Sequence, residues 1–302
     1  MKEFDNFINS EKAPKVLKCG ETFCFQCIKK NYENKKIFCP ICGKKNLETI
    51  ENIPVNKCAI ESVEKEILNN VQFLSNDNSR IYDYEFSIGL MGDADVGKTS
   101  INHYFYKGKP LIRSQTTLGF EFHYKLLSIK KKNIKIRLWD TAGQEVYRSF
   151  SMGLLKGVNA VLIVFSLTHN FHPDFEGDKK KFEEWKNADK EKKAEIEENI
   201  KEEYFANVIS WYNQFTQINN EKETLIYLVG NKVDDLENRV IKKEDAINLA
   251  KSLSLKYFET SAITGENINR LFSKLCLDLM ATTQRNRSTI NLNEEKNKLK
   301  CC

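Results

Sequence analysis

Residues Gly92 to Ser100 read GDADVGKTS, which sets two glycines, a lysine and a hydroxyl at the spacing G-x-x-x-x-G-K-[ST]. Phosphates are held by a tightly curled loop whose backbone N–H groups point inward, and Gly92 and Gly97 permit that path. In such a loop Lys98 reaches the β/γ-phosphates as a point charge and the Thr99 hydroxyl ligates Mg²⁺. Asp95, Val96 and Ser100 fill the remaining positions, and the positive end of the following helix adds to the anion site. A glycine-bearing loop with a chance lysine is the rival reading, and context decides against it. Tyr84 to Met91 reads as a buried strand and Thr99 to Phe105 as the start of a helix, the order such a loop requires.

A second group of chemical residues lies near the start. Nine cysteines are present, five of them Cys19, Cys24, Cys27, Cys39 and Cys42. Cys24/Cys27 and Cys39/Cys42 form two C-x-x-C pairs, a spacing that lets thiolates converge on one tetrahedral Zn²⁺. The N-terminus MKEFDNFINS lacks a signal-peptide apolar stretch and no 18-residue apolar run exists, so a cytosolic protein is expected. In that compartment clustered cysteines favour metal over disulfides. Cys58 and Cys276 sit in apolar, helix-like surroundings and read as small buried residues.

Length and charge bound the rest. At 302 residues two modules are expected, and a net charge of +5 is too mild to argue for nucleic acid. Residues 1–58 form the cysteine module. Between it and the next module, 59–80 read as a helical linker, with Ile60, Val63, Ile67, Val71 and Leu74 at helical spacing from Lys57 to Leu74. The boundary is placed in the polar stretch Ser75 to Arg80. Beyond the phosphate loop, Phe120 to Ile129 and Asn133 to Trp139 read as strands joined by a turn. Ala160 to Phe165 and Thr224 to Val229 are continuous apolar runs, as buried parallel strands require. Helical spacing marks Phe205 to Phe215, Glu244 to Leu253 and Ile268 to Met280. Alternating strands and helices imply a three-layer α/β fold.

PKVLKCGETFCFQCI and FCPIC resemble the later part of a RING finger, and Pro54 to Ile60 resembles the segment that follows many RINGs. The resemblance implies that Cys19, position 21, Cys39 and Cys42 share one zinc, while Cys24 and Cys27 share another with a preceding pair. Glu21 stands where the family has histidine, and no C-x-x-C precedes Cys19. Either Glu21 substitutes as a ligand, or Cys24, Cys27, Cys39 and Cys42 hold a single ion. Two accounts of the start remain level: Met1 is an internal methionine of a longer chain, or the module is a RING that has lost its first pair. Ubiquitin transfer with an E2 enzyme is what the resemblance would imply.

Residues 81–284 resemble a Ras-superfamily GTPase of the Rab branch, carried by YDYEFSIGLMGDADVGKT, TTLGFEF, WDTAGQE, NKVD and ETSAITG. The resemblance implies a P-loop GTPase fold with a mostly parallel six-stranded sheet, the zinc-binding module standing before it. It implies that Thr117 ligates Mg²⁺ and senses the γ-phosphate, and that Asp140 holds Mg²⁺ through water. Gly143 would bond the γ-phosphate and Gln144 would orient the attacking water. Asn231, Lys232 and Asp234 would recognise guanine, with Ser261 and Ala262 completing the base pocket. Phosphoryl transfer to water is then positioning plus charge stabilisation, for which the Ras GTPases are a standard template. No arginine finger is evident, so turnover is expected to be slow and partner-assisted.

Departures from the family's pattern are Asp95 in the loop, Pro110, Val146 with Tyr147, Ser166 and Ile263. Residues 169–203 are an insertion of charged, helix-favouring sequence. A solvated surface helix is the expectation, with Trp185 as the one argument for a docking arm. Residues 285–302 show no apolar periodicity and are expected to be disordered. Their Cys301-Cys302 end resembles a doubly geranylgeranylated Rab tail, and two lipid chains give stable anchoring. The chain is thus expected to bind GTP or GDP, Mg²⁺ and Zn²⁺ and to act as a membrane-trafficking switch on the cytosolic face of an endomembrane. Its expected partners are an exchange factor, a GTPase-activating protein, effectors and prenylation machinery. A ubiquitin-transfer or zinc-scaffold protein gated by its GTPase domain is the alternative.

Overall fold

The computed structural model describes residues 14–17, 22–24, 28, 32–33, 36–39, 45–46, 62, 66–74, 82–112, 120–141, 152–169, 176–219 and 224–299. The chain falls into two units, one comprising residues 1–71 and 281–302 and the other residues 72–280.

In the first unit β1 (Pro14–Val16) pairs antiparallel with β2 (Thr22–Cys24), Pro14 lying opposite Cys24. β3 (Tyr32–Glu33), β4 (Lys36–Phe38) and β5 (Lys45–Asn46) form an antiparallel three-stranded sheet. Leu17, Ile28 and Cys39 are buried. Strands this short cannot enclose a large core, which is why such modules depend on metal.

The second unit is a seven-stranded sheet with the order β12-β11-β10-β7-β9-β8-β6. β7 (Tyr84–Met91), β9 (Lys132–Thr141), β10 (Ala160–Ser166), β11 (Leu225–Asn231) and β12 (Lys256–Thr260) run parallel. All seven residues of β10 are buried, as a central strand covered on both faces demands. β8 (Phe120–Ile129) folds back antiparallel on β9 through Lys130 and Lys131, both at positive φ, the conformation a tight hairpin turn needs.

Two expectations are corrected here. The sheet has a seventh strand, β6 (Gln72–Leu74), antiparallel on β8 with Phe73 opposite Leu127. The helix expected to reach Leu74 stops at Asn70, whose backbone N–H and side-chain amide both bond the Glu66 carbonyl. The side-chain amide competes for a carbonyl of the last turn, and Phe73 then meets the ring of Phe105 edge-on at 5.9 Å. The second correction concerns the tail. The last helix, α5 (Ile268–Leu299), continues through residues expected to be disordered. Elongating an existing helix costs far less than nucleating one, and 285–299 contain neither proline nor glycine.

The other helices are α1 (Lys98–Lys107), α2 (Glu176–Asn187), α3 (Lys190–Ile218) and α4 (Lys243–Ser252). α1 and α5 meet through Phe105 and Phe272, stacked at 3.8 Å. α2 and the first half of α3 fall within residues 169–203, the stretch expected to be an insertion, and α3 runs unbroken from there into the helix predicted at Phe205 to Phe215. Asp189 caps α3, its carboxylate accepting from the Lys192 N–H at 2.9 Å. Trp185 is buried rather than solvated, in one core cluster with Val208, Trp211 and Phe215.

Candidate functional site

The loop after β7 follows from its backbone. Gly92 has φ 142° and a Cβ there would stand 2.0 Å from the Val164 carbonyl oxygen. Gly97 has φ 94°, and its Cβ would meet the Asn231 amide at 2.2 Å. Glycine is therefore required at both positions. Lys98 folds back over this curl, donating to the carbonyls of Gly92 at 3.0 Å and Asp93 at 2.6 Å. Burial pulls its pKa down to about 8, against the opposing pull of Asp140, Asp93 and Asp95. Such a desolvated ammonium gains strongly from an anion brought beside it.

Val96 is buried, Thr99 and Ser100 are half-buried, and Asp95 is exposed. Asp95 has φ 59°, a left-handed conformation that strains a residue with a side chain. Its charge supports the protonated forms of Lys98 and Lys232.

Asp140, near the end of β9, is fully buried, and neither carboxylate oxygen has a hydrogen-bond partner among the described residues. Burial pushes its pKa up to about 6. Thr99, Lys98 and Asn102 lie close enough to oppose that shift, yet no hydrogen bond of ordinary geometry satisfies the carboxylate. An orphaned carboxylate beside a half-buried hydroxyl fits a hydrated divalent cation. Thr99 would ligate Mg²⁺ directly and Asp140 through water, and the ion would supply positive charge to the phosphates.

Asn231 joins the phosphate loop to the base loop. Its amide donates to the Val96 carbonyl at 3.0 Å, and its oxygen accepts from the Thr260 hydroxyl at 3.2 Å. Lys232 has φ 70°, and burial lowers its pKa. Asp234 keeps one buried carboxylate oxygen with no partner among the described residues, an acceptor suited to the N–H edge of a purine. The loop after β12 is ordered by Ser261, whose hydroxyl accepts from the N–H groups of Ile263 at 3.2 Å and Thr264 at 2.9 Å. Ala262 is buried and Ile263 is exposed. Tyr104 of α1 donates to the Thr264 carbonyl at 3.3 Å and closes on Gly265, where a Cβ would fall 2.1 Å from its ring.

Lys98, Thr99, Asp140, Asn231, Lys232, Asp234 and Ser261 thus come from four separate stretches, and Asn231 ties the phosphate loop to the strand that ends before Ser261. Thr117, Gly143 and Gln144 lie outside the described residues, as do Cys19, Cys27, Cys42, Cys301 and Cys302. Cys39 is buried and Cys24 ends β2. Sequence reasoning missed Asp93, whose carboxylate accepts from Trp211 Nε1 at 2.7 Å and Asn207 Nδ2 at 2.8 Å. The only signal available was a second acid in a loop built for anions.

A phosphate loop after a central parallel strand, together with the Asp140 and Asp234 carboxylates, is the arrangement of a nucleotide-binding domain. The chain belongs to the Ras family, which matches residues 88–196 and 198–281. The zinc finger of C3HC4 type (RING finger) matches residues 8–42. The Ras-related protein SEC4 of Candida albicans is 31% identical over 198 residues, covering 66% of this chain and 79% of that protein. The Ras-related protein Rab-26 of Mus musculus is 29% identical over 199 residues, 66% of this chain and 64% of that one, so just under two-thirds of its length is spanned. RABA2d of Arabidopsis thaliana is 29% identical over 198 residues, 66% of this chain and 76% of its own. The resemblance to Rab-type small GTPases with a RING-like finger thus holds on both counts. Ras-family domains take GTP or GDP with Mg²⁺, and RING-type fingers take Zn²⁺.

Proposed function

We propose that the chain is a Rab-type GTPase that hydrolyses GTP to GDP and phosphate and switches membrane-trafficking partners between the two states. One observation supports this reading: among the described residues Asp140 and Asp234 keep buried carboxylate oxygens with no hydrogen-bond partner, and the reading assigns the first to Mg²⁺ and the second to guanine. Asn231 links the loop between them to the base pocket. Thr117, Gly143 and Gln144 are assigned the γ-phosphate and water-positioning roles by motif. Lipidation of Cys301 and Cys302 by prenylation machinery, attachment to an endomembrane, and an exchange factor, activating protein and effectors complete the proposal. No helix among the described residues is long and apolar enough to cross a membrane.

The test is nucleotide preference. The protein is expected to bind GDP far more tightly than ADP, because the Asp234 carboxylate accepts from guanine N1–H and the exocyclic amine, donors adenine does not present there. Asp234→Asn should transfer preference to xanthosine diphosphate, whose extra carbonyl suits an amide donor. Equal affinity for GDP and ADP would end the proposal.

The RING match supports a second reading, ubiquitin transfer through an E2 enzyme gated by the nucleotide state. Self-ubiquitination across an E2 panel tests it, and no product with any E2 rejects it.

A further inference from the structure

Asp93 follows the first glycine of the phosphate loop, where a second negative charge works against an anionic ligand. The structure eases that conflict by giving each oxygen of the carboxylate a neutral donor. Trp211 Nε1 donates to Oδ1 at 2.7 Å and Asn207 Nδ2 to Oδ2 at 2.8 Å. Both donors belong to α3, four residues apart and therefore on one helical face. Trp211 is fully buried, so its indole cannot swing away without emptying the core around it. The other side of the same residue serves the site: the Asp93 carbonyl accepts from Lys98 Nζ at 2.6 Å. Residue 93 is thus gripped outward by α3 through its side chain and holds the phosphate-binding lysine inward through its backbone.

We propose that Asp93 is a positioning residue, and that Trp211 and Asn207 of α3 set how long the loop retains its nucleotide by fixing Asp93. The proposal rests on the nucleotide-binding reading above and adds α3 as the element that tunes it. With Asp93 held, the curl keeps its N–H groups converged and Lys98 stays in place over them. With it released, a carboxylate is free to turn toward the phosphates and the curl loses its outer anchor.

Dissociation of fluorescent methylanthraniloyl-GDP from the full-length protein, with Mg²⁺ present, tests this. Asn207→Asp sets two carboxylates face to face and is expected to speed release about tenfold or more. Adding Asp93→Asn to that variant restores a donor–acceptor pair in the opposite sense, and release should return to within about threefold of wild type. Trp211→Phe keeps the ring in the core but removes the N–H, and should speed release several-fold; it also serves if Asn207→Asp does not fold. A purely structural role predicts otherwise: lower melting temperatures with release unchanged within twofold in both single variants, or no recovery in the exchanged pair. Either result overturns the inference. Failure of the wild-type chain to bind the fluorescent GDP instead overturns the nucleotide-binding reading, so the two failures are distinct.

Discussion

Trp185 decides whether the α2–α3 hairpin is part of the folded core. It is 4% exposed and shares a cluster with Val208, Trp211 and Phe215. Its ring meets His169 at 4.7 Å and Phe182 at 6.0 Å, Lys193 Nζ lies 3.8 Å above it, and its N–H donates to Glu197 at 3.2 Å. Truncating a buried Trp to Ala costs about 3–5 kcal/mol from lost transfer energy and an unfilled cavity. Trp185→Phe keeps most of the apolar contact. It loses one hydrogen bond worth about 1 kcal/mol and part of a cation–π contact worth about 0.5–1 kcal/mol. The expected order is therefore wild type, then Phe lower by about 1–2 kcal/mol, then Ala lower by about 3–5 kcal/mol. At about 2–4 °C per kcal/mol for a domain of this size, Ala should lose about 6–20 °C in Tm. Urea unfolding of the GDP-loaded protein, followed by circular dichroism, measures both steps. If both variants fall within about 0.5 kcal/mol of wild type, as surface substitutions do, the hairpin is a solvated arm and this reasoning fails.

Four further outcomes are expected. Mg²⁺ must displace the proton that Asp140 holds below about pH 6, so titrations should show Mg²⁺ affinity falling as pH drops from 7 to 5, and Asp140→Asn should flatten that dependence. Burial alone would raise the pKa of Asp278, but Lys256 and Lys274, with the Tyr227 hydroxyl, hold it below the usual carboxylate value. Its stabilising contribution is therefore complete above about pH 4. It is lost as pH falls through the lowered value, so Asp278→Asn should cost Tm at pH 7 and progressively less in acid. Asp95→Gly relieves left-handed strain of about 1 kcal/mol and removes a charge near the phosphates, so GDP should leave more slowly; an unchanged off-rate would mean the carboxylate does not face them. Metal analysis of the purified chain should find one firmly bound zinc, and two would show that Glu21 or further ligands take part.

The phosphate loop, the strands around it and the guanine loop were legible because each imposes local requirements that neighbouring residues must meet. Gly92 and Gly97 answer backbone geometry, and the buried runs of β10 and β11 answer coverage on both faces. What stayed hidden depends on partners distant in the chain. Val71 and Leu74 fit helical spacing as readily as strand, and only the open edge of β8 settles β6. Asp93 and Trp211 are 118 residues apart, and nothing local in either announces the other. Trp185 sits among lysines and glutamates, so composition hid a side chain that packs inward. The tail misled differently: loss of apolar spacing says that a helix has no face to bury, not that it stops.

α3 carries the contact to Trp185 and the grip on Asp93 on one continuous rod, and this constrains how the segment can change in length. Each residue added or deleted between Glu197 and Asn207 rotates one end of the helix against the other by about 100°. A change of two residues turns the face that meets Trp185 roughly to the opposite side from the face that meets Asp93. A change of seven returns it to within about 20° while shifting it two turns along the axis. Tolerated indels in this stretch should therefore come in steps of about seven or eleven, whereas the α2–α3 connection at Ala188 and Asp189 lies outside the rod and is free of that arithmetic.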